Sequence, residues 1–121
     1  MHPTKRVLCV DDHDDTCFML KLLLGNEGYQ TQFAATAAEA LELTRIEDFD
    51  LFLLDNRLPD RSGIELCRAL RMGQPDTPIV LYSGDAYPMQ HSAAMEAGAT
   101  AYVDKPNIDQ LVATIRDFLA D

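Results

Sequence analysis

The sequence predicts one α/β domain built on an open, doubly wound parallel sheet, and three observations predict it. Five short apolar runs alternate with longer helix-period segments within 121 residues, the pattern of repeated βα units. Three of the runs, VLCV at 7–10, LFLL at 51–54 and IVLY at 79–82, lack polar alternation, as strands covered on both faces do. The polar residues that interrupt these runs fall at strand carboxyl ends, the rim where open parallel sheets bind ligands.

Taken in order, the first strand spans 7–10, and the first helix opens at Asp14 or Asp15 and stops at Gly28, with Gly25 an internal weak point. A second strand at 31–34 is polar enough to be an edge. Thr36 with Glu39 then reads as a capping box that opens the second helix. After the third strand, 51–54, Ser62 with Glu65 repeats that signal. The fourth strand, 79–82, leads to a helix from Pro88, suited to a first helical position, to Gly98 as its stop. A fifth strand at 101–103 precedes Asn107 and a helix that places Ile108, Leu111, Val112, Ile115, Phe118 and Leu119 on one stripe. No linker or repeat divides the chain, so a single domain is expected over 1–121.

Ten Lys and Arg against twenty Asp and Glu give a net charge of −10, which disfavours direct binding to nucleic acid or anionic lipid and favours a basic partner surface or a cation. Cys9, Cys17 and Cys67 are odd in number and widely spaced, and read as reduced, mostly buried thiols. From His2, Pro3, Lys5 and Arg6 the chain runs into a short strand that Asp11 ends, and no apolar run is long enough to span a bilayer. A soluble, cytoplasmic protein is expected.

Asp11 and Asp12 follow strand one, Asp55 strand three, Ser83 strand four and Lys105 strand five. Right-handed crossovers bring these ends to one rim. Each residue alone has an ordinary explanation: the acids as helix caps, Ser83-Gly84 as a turn, Lys105 as a solvated loop residue. Together they place three carboxylates, a hydroxyl and an ammonium in one spot. Converging carboxylates raise one another's pKa unless positive charge intervenes. Lys105 supplies one charge, and a hard cation with oxygen ligands such as Mg²⁺ supplies the rest. Such a site suits a transferring phosphoryl group, with a carboxylate as nucleophile.

Val10-Asp11-Asp12, Leu53-Leu54-Asp55 with Pro59 and Gly63 downstream, Tyr82-Ser83-Gly84, and Tyr102-Val103-Asp104-Lys105-Pro106 together resemble the receiver domains of two-component response regulators, across essentially the whole chain. The resemblance implies a flavodoxin-like five-stranded sheet in the order 2-1-3-4-5 with five helices. It implies Asp55 as phosphoacceptor; Asp12, Asp55 and the Arg57 backbone carbonyl as ligands of Mg²⁺ (or Mn²⁺); and Asp11 orienting metal-bound water. Lys105 would pair with phosphoryl oxygens, Ser83 would give them a hydroxyl bond, and Tyr102 would be the aromatic switch that turns inward as Ser83 moves. The Lys105-Pro106 peptide is expected cis. The donor would be a histidine kinase or histidine phosphotransfer protein, and the output face would be the fourth helix, fifth strand and fifth helix. The chain would then be a signalling phosphoacceptor that assists its own phosphorylation and slow dephosphorylation, not an enzyme.

Leu58 stands where the family often has Met, Gly84 leaves room at the pocket mouth, and Arg57 and Asp85 are placed to pair over Asp55 and shield its phosphoryl group. His13 and His91 are read as surface residues outside the site. A receiver-like interaction module that works without phosphorylation is the alternative. A flavin carrier is disfavoured because Asp11, Asp12, Asp14 and Asp15 would repel phosphate. A haloacid-dehalogenase-type hydrolase is disfavoured because its nucleophilic Asp follows its first strand with a second Asp two residues on, whereas the residue two past Asp55 is Arg57. With two residues after Leu119, the chain is expected either to act by docking to a partner, as stand-alone chemotaxis or phosphorelay receivers do, or to be a piece of a longer regulator or hybrid kinase.

Overall fold

In the computed structural model, which describes residues 3–85 and 87–120, the five apolar runs pair as one parallel sheet in the order β2-β1-β3-β4-β5. The strands are β1 (Arg6–Val10), β2 (Gln30–Ala34), β3 (Leu51–Leu54), β4 (Ile79–Ser83) and β5 (Ala101–Asp104); they alternate with α1 (Asp14–Asn26), α2 (Ala37–Ile46), α3 (Gly63–Gly73), α4 (Pro88–Glu96) and α5 (Ile108–Leu119). Expected and observed elements agree to within one or two residues at each end. His2, read from the sequence as leading into β1, lies outside the described residues.

Side-chain alternation along the strands explains the two layers of helices. Leu8, Val10, Phe52, Leu54, Ile79 and Leu81 point to one face, where they pack with Ala37 and Ala40 of α2, Leu66, Cys67 and Leu70 of α3, and Ala94 of α4. Their neighbours Val7, Cys9, Leu51, Leu53, Val80 and Val103 face the other way, against Leu20 and Leu24 of α1 and Leu111, Ile115 and Leu119 of α5. Strands with both faces covered need apolar residues at every position, which is why the alternation is missing from 7–10, 51–54 and 79–82. The polar β2 alternates between exposed and partly covered residues and forms one edge.

Helix ends follow local chemistry. Ser62 and Glu65 make the full reciprocal capping box expected of them. At Thr36 only half of the expected box is recorded: its Oγ1 accepts from Glu39 N at 3.1 Å, while Asp60 takes the N–H groups of Ala37 and Ala38, both at 2.9 Å. A carboxylate brought in from the β3–α3 loop thus fills the anionic position that a helix N-terminus favours. Gly28 and Gly98, the two expected helix stops, both have positive φ, 89° and 106°, a region that other residues enter at a cost. Gly25 falls within α1, as expected. Cys9 and Cys67 are buried and Cys17 partly so, all as free thiols. Among the described residues no helix is long and apolar enough to cross a membrane.

One tie across the amino-terminal edge of the sheet was not foreseen. The Arg71 guanidinium donates to the carbonyls of Gly98 (2.7 and 3.0 Å), Gln74 (2.8 Å) and Thr77 (2.7 Å), joining the end of α3 to the loops that enter β4 and β5. Hydrogen bonds from a charged donor contribute roughly 1.5–3 kcal/mol each at most, and their loss leaves carbonyls unpaired. Arg71→Ala is therefore expected to destabilise the fold by about 2 kcal/mol, read as a lowered denaturant midpoint with the slope of the transition unchanged. An unchanged midpoint would refute this role.

Candidate functional site

The sheet ladder runs one residue beyond β1, β3 and the edge strand β5 and so fixes the residues of the rim. Asp11 N donates to Ala34 O at 3.0 Å, Asp55 N to Val10 O at 2.9 Å, and Lys105 N to Ser83 O at 2.9 Å. Asp11, Asp55 and Ser83 are buried, with 5%, 5% and 1% of their surface exposed, while Asp12 reaches solvent. Lys105 Nζ lies 3.0 Å from Asp11 Oδ2 and 3.6 Å from Asp55 Oδ1. The Lys105-Pro106 peptide is cis, as expected. Around these groups is an open cleft of ≈ 370 Å³ lined by His13, Thr16, Asp55, Arg57, Ser83, Gly84, Asp85 and Lys105.

The sequence-predicted residues therefore come together. Asp11, Asp12 and Asp55 each offer a carboxylate oxygen, and His13 a ring nitrogen, within 4.8 Å of one another. Burial raises the Asp55 pKa above the ordinary carboxylate range, with Lys105 opposing and Asp11 adding to the rise. Three carboxylates facing one ammonium leave an excess of negative charge, and their oxygens suit a hard divalent cation. On that donor chemistry the residues fit Mg²⁺: Asp11, Asp12 and Asp55 are the side chains able to hold it.

At the mouth, Arg57 and Asp85 do meet. The guanidinium Nη2 is 2.8 Å and Nε 3.1 Å from Asp85 Oδ1, and Arg57 holds the Asp85 carboxyl below the usual range. The Arg57 side chain is 80% exposed and that of Asp85 12%, so the pair lines the cleft as a strap whose arginine stands in solvent. Tyr102 donates its hydroxyl to the Asp85 carbonyl at 2.6 Å.

Three participants escaped the sequence reading. His13, expected at the surface, is 60% exposed, yet its Nδ1 lies 2.8 Å from Asp11 Oδ1, 3.3 Å from Asp12 Oδ1 and 3.7 Å from Asp55 Oδ2. Bonding to Asp11 and the charge of Asp12 raise its pKa. His91, also expected at the surface, is partly buried: it stacks on Tyr102 with ring centroids 4.1 Å apart and bonds Asp104 Oδ1 at 2.9 Å. Asn56 is the third. It is buried, accepts from Ile64 N at 3.1 Å and donates to Asp85 Oδ2 and Gln90 Oε1, both at 3.3 Å. A polar residue directly after a doubly covered strand and beside Asp55 was the available signal.

Comparison with known proteins gives one consistent result. The family model described as response regulator receiver domain matches residues 7–116. The cell cycle transcriptional regulator CtrA of Caulobacter vibrioides is 36% identical over 111 residues, covering 91% of this chain and 48% of that protein; the chain spans about half the length of the curated relatives it matches. Among solved structures, a CheY-like response regulator receiver domain protein from Methanospirillum hungatei superposes with a TM-score of 0.90 at 35% identity, covering 95% of this chain and 93% of that one. The response regulator TrrA of Thermotoga maritima, solved in complex with Mg²⁺-BeF, gives 0.87 at 34% identity, covering 96% of this chain and all of that one.

Proposed function

The chain belongs to the response regulator receiver domain family, and from that premise we propose that it accepts a phosphoryl group on Asp55 from a phosphohistidine donor and thereby switches its output face. The observation that carries the reading is the buried Asp55 carboxylate with Lys105 Nζ at 3.6 Å and the Asp11 and Asp12 oxygens beside it.

A donor phosphohistidine would enter along the open cleft, in line with an Asp55 oxygen. The new P–O bond forms as the donor's P–N bond breaks, and the bonding pair stays on the imidazole nitrogen. Bound Mg²⁺, held by Asp12, Asp55 and the Arg57 carbonyl, would supply electrostatic stabilisation of the phosphoryl oxygens. Asp11 would orient metal-bound water and hold Lys105 in place, and Lys105 and Ser83 would contact the phosphoryl oxygens themselves. Hydrolysis of the acyl phosphate by water resets the domain. Tyr102 would carry the state outward. Its hydroxyl bond to the Asp85 carbonyl and its stack on His91 link the cleft to the face formed by α4, β5 and α5.

Two docking surfaces suit the partners expected of the family. Phe18 and Leu22 are exposed on α1, the helix that follows Asp12 and His13, where a helical histidine kinase or phosphotransfer domain would dock. Tyr87, which caps α4, and Met89 and Met95 along it are exposed, on the side proposed to read out the state. Cytoplasmic placement follows from such partners.

Incubation with Mg²⁺ and a small phosphodonor, read by intact mass, tests the function: one phosphoryl adduct that requires the metal is expected. Its absence would favour the phosphorylation-independent interaction module. The Arg57–Asp85 strap gives a second expectation. At the mouth of the cleft it would restrict the approach of water to the phosphoryl group, so Arg57→Ala and Asp85→Ala should each shorten the phosphoryl lifetime several-fold while adduct formation persists. Unchanged decay of the adduct in both variants would remove the shielding role.

A further inference from the structure

We propose, building on the reading of this cleft as a divalent-cation site, that His13 is a metal ligand, whose imidazole makes the site prefer first-row transition ions over Mg²⁺. His13 occupies the position that would cap α1, but its side chain makes no capping bond. The backbone instead bends so that His13 N donates to Asp11 Oδ1 at 2.9 Å, and the ring Nδ1, hydrogen-bonded to Asp11 Oδ1 at 2.8 Å, sits 3.3 and 3.7 Å from the oxygens of Asp12 and Asp55; an entering cation takes the place of the Nδ1 proton, which is released to solvent. These are the three carboxylates whose oxygens suit a divalent cation in this cleft. One nitrogen and three oxygens within 4.8 Å of one another form a mixed donor set.

Mg²⁺ gains little from such a nitrogen, because it favours oxygen and keeps much of its water. Imidazole suits Co²⁺, Ni²⁺ and Zn²⁺, whose affinities for N/O sites follow the Irving–Williams order and exceed that of Mn²⁺. The competing account makes His13 a plain counter-charge to the carboxylates, displaced when any cation enters. The two accounts differ in sign. Removal of a ligand weakens binding of the ions that use it. Removal of a competing positive charge strengthens binding of every divalent ion alike.

Calorimetric titration of the whole chain with Mg²⁺, Mn²⁺ and Co²⁺ at fixed alkaline pH, for wild type, His13→Ala and Asp12→Asn, separates them. His13→Ala should lose roughly tenfold or more of its Co²⁺ affinity, since even outer partners of a ligand cost 10–100-fold, while Mg²⁺ affinity is held or raised. Asp12→Asn should weaken all three ions and so locate the binding in this cleft, apart from His2 and His91. The electron spin-echo modulation of bound Mn²⁺ should carry a ¹⁴N coupling that disappears in His13→Ala. Equal changes for all ions in His13→Ala, or a ¹⁴N signal that survives it, would overturn the assignment while leaving the phosphoacceptor reading intact. Failure of wild type to bind any of the ions in an Asp12-dependent way would overturn both.

Discussion

Asp55→Asn is expected to abolish phosphoryl incorporation completely while raising the thermal stability of the metal-free protein. The first effect follows from losing the nucleophilic oxygen: the amide keeps the shape of the carboxylate but neither its charge nor its reactivity. The second follows from burial. Water is withheld from a carboxylate that faces Asp11, and this raises its pKa in the folded chain. A group with a raised folded-state pKa binds its proton more readily folded than unfolded. Its ionised form therefore opposes folding above the folded-state pKa, and the deficit fades as pH falls toward the unfolded value. Asn at this position carries no such deficit, and Lys105 keeps Asp11 as its partner at 3.0 Å. The variant should then melt above wild type at neutral pH, by a margin that narrows on acidification. Measured together, intact mass and melting temperature separate loss of chemistry from loss of fold. An adduct on the variant would mean another nucleophile, and a lower melting temperature would mean that Asp55 is held by contacts that the amide cannot replace.

That Asp55 was legible at all as the proposed acceptor comes from where it stands. Apolar continuity revealed β1, β3 and β4, and each was followed at once by Asp11, Asp55 or a Ser-Gly pair, so chain order alone placed these groups on one rim. The Lys105-Pro106 dipeptide did the same for β5. What stayed hidden depends on side-chain direction. His13 is one residue past Asp12, where a ring can turn to solvent or back into the site, and only the bend at the start of α1 decides it. His91 is spaced along α4 like any surface residue, and its stack on Tyr102 depends on how α4 lies across β5. Arg71 reads as an ordinary basic residue near a helix end, until the carbonyls of Gly98 and Thr77 from distant loops meet its guanidinium. Periodicity carries strand order and burial; contacts between loops carry no periodic signal.

Gly63→Ala should be the most damaging small substitution in the fold. Gly63 opens α3 immediately behind Asp55, with its N–H donating to Asn56 O at 2.7 Å. A Cβ at this position would overlap the Asp55 carbonyl oxygen and lie 2.9 Å from Asn56 Cα and from the Asp55 carbonyl carbon. All three are backbone atoms at the end of a strand hydrogen-bonded on both sides, so no rotamer change can relieve the contact. The φ of Gly63 is not positive; the requirement is for space alone. Overpacking in a close-packed interior costs roughly 1–3 kcal/mol and sometimes more, and with rigid backbone on the receiving side about 3 kcal/mol is expected here. Against the ~5–15 kcal/mol that holds typical domains together, that leaves a folded but weakened protein. Relief by moving α3 would carry Asn56 and its bonds to Ile64 and Asp85 away from the cleft and displace Asp55 with them. Gly63→Ala is therefore expected to lower the denaturant midpoint and to slow phosphoryl uptake, whereas Gly73→Ala, at a position with nothing within 4 Å of the added carbon, should do neither. Equal behaviour of the two variants would show that the start of α3 yields where the geometry allows it no room.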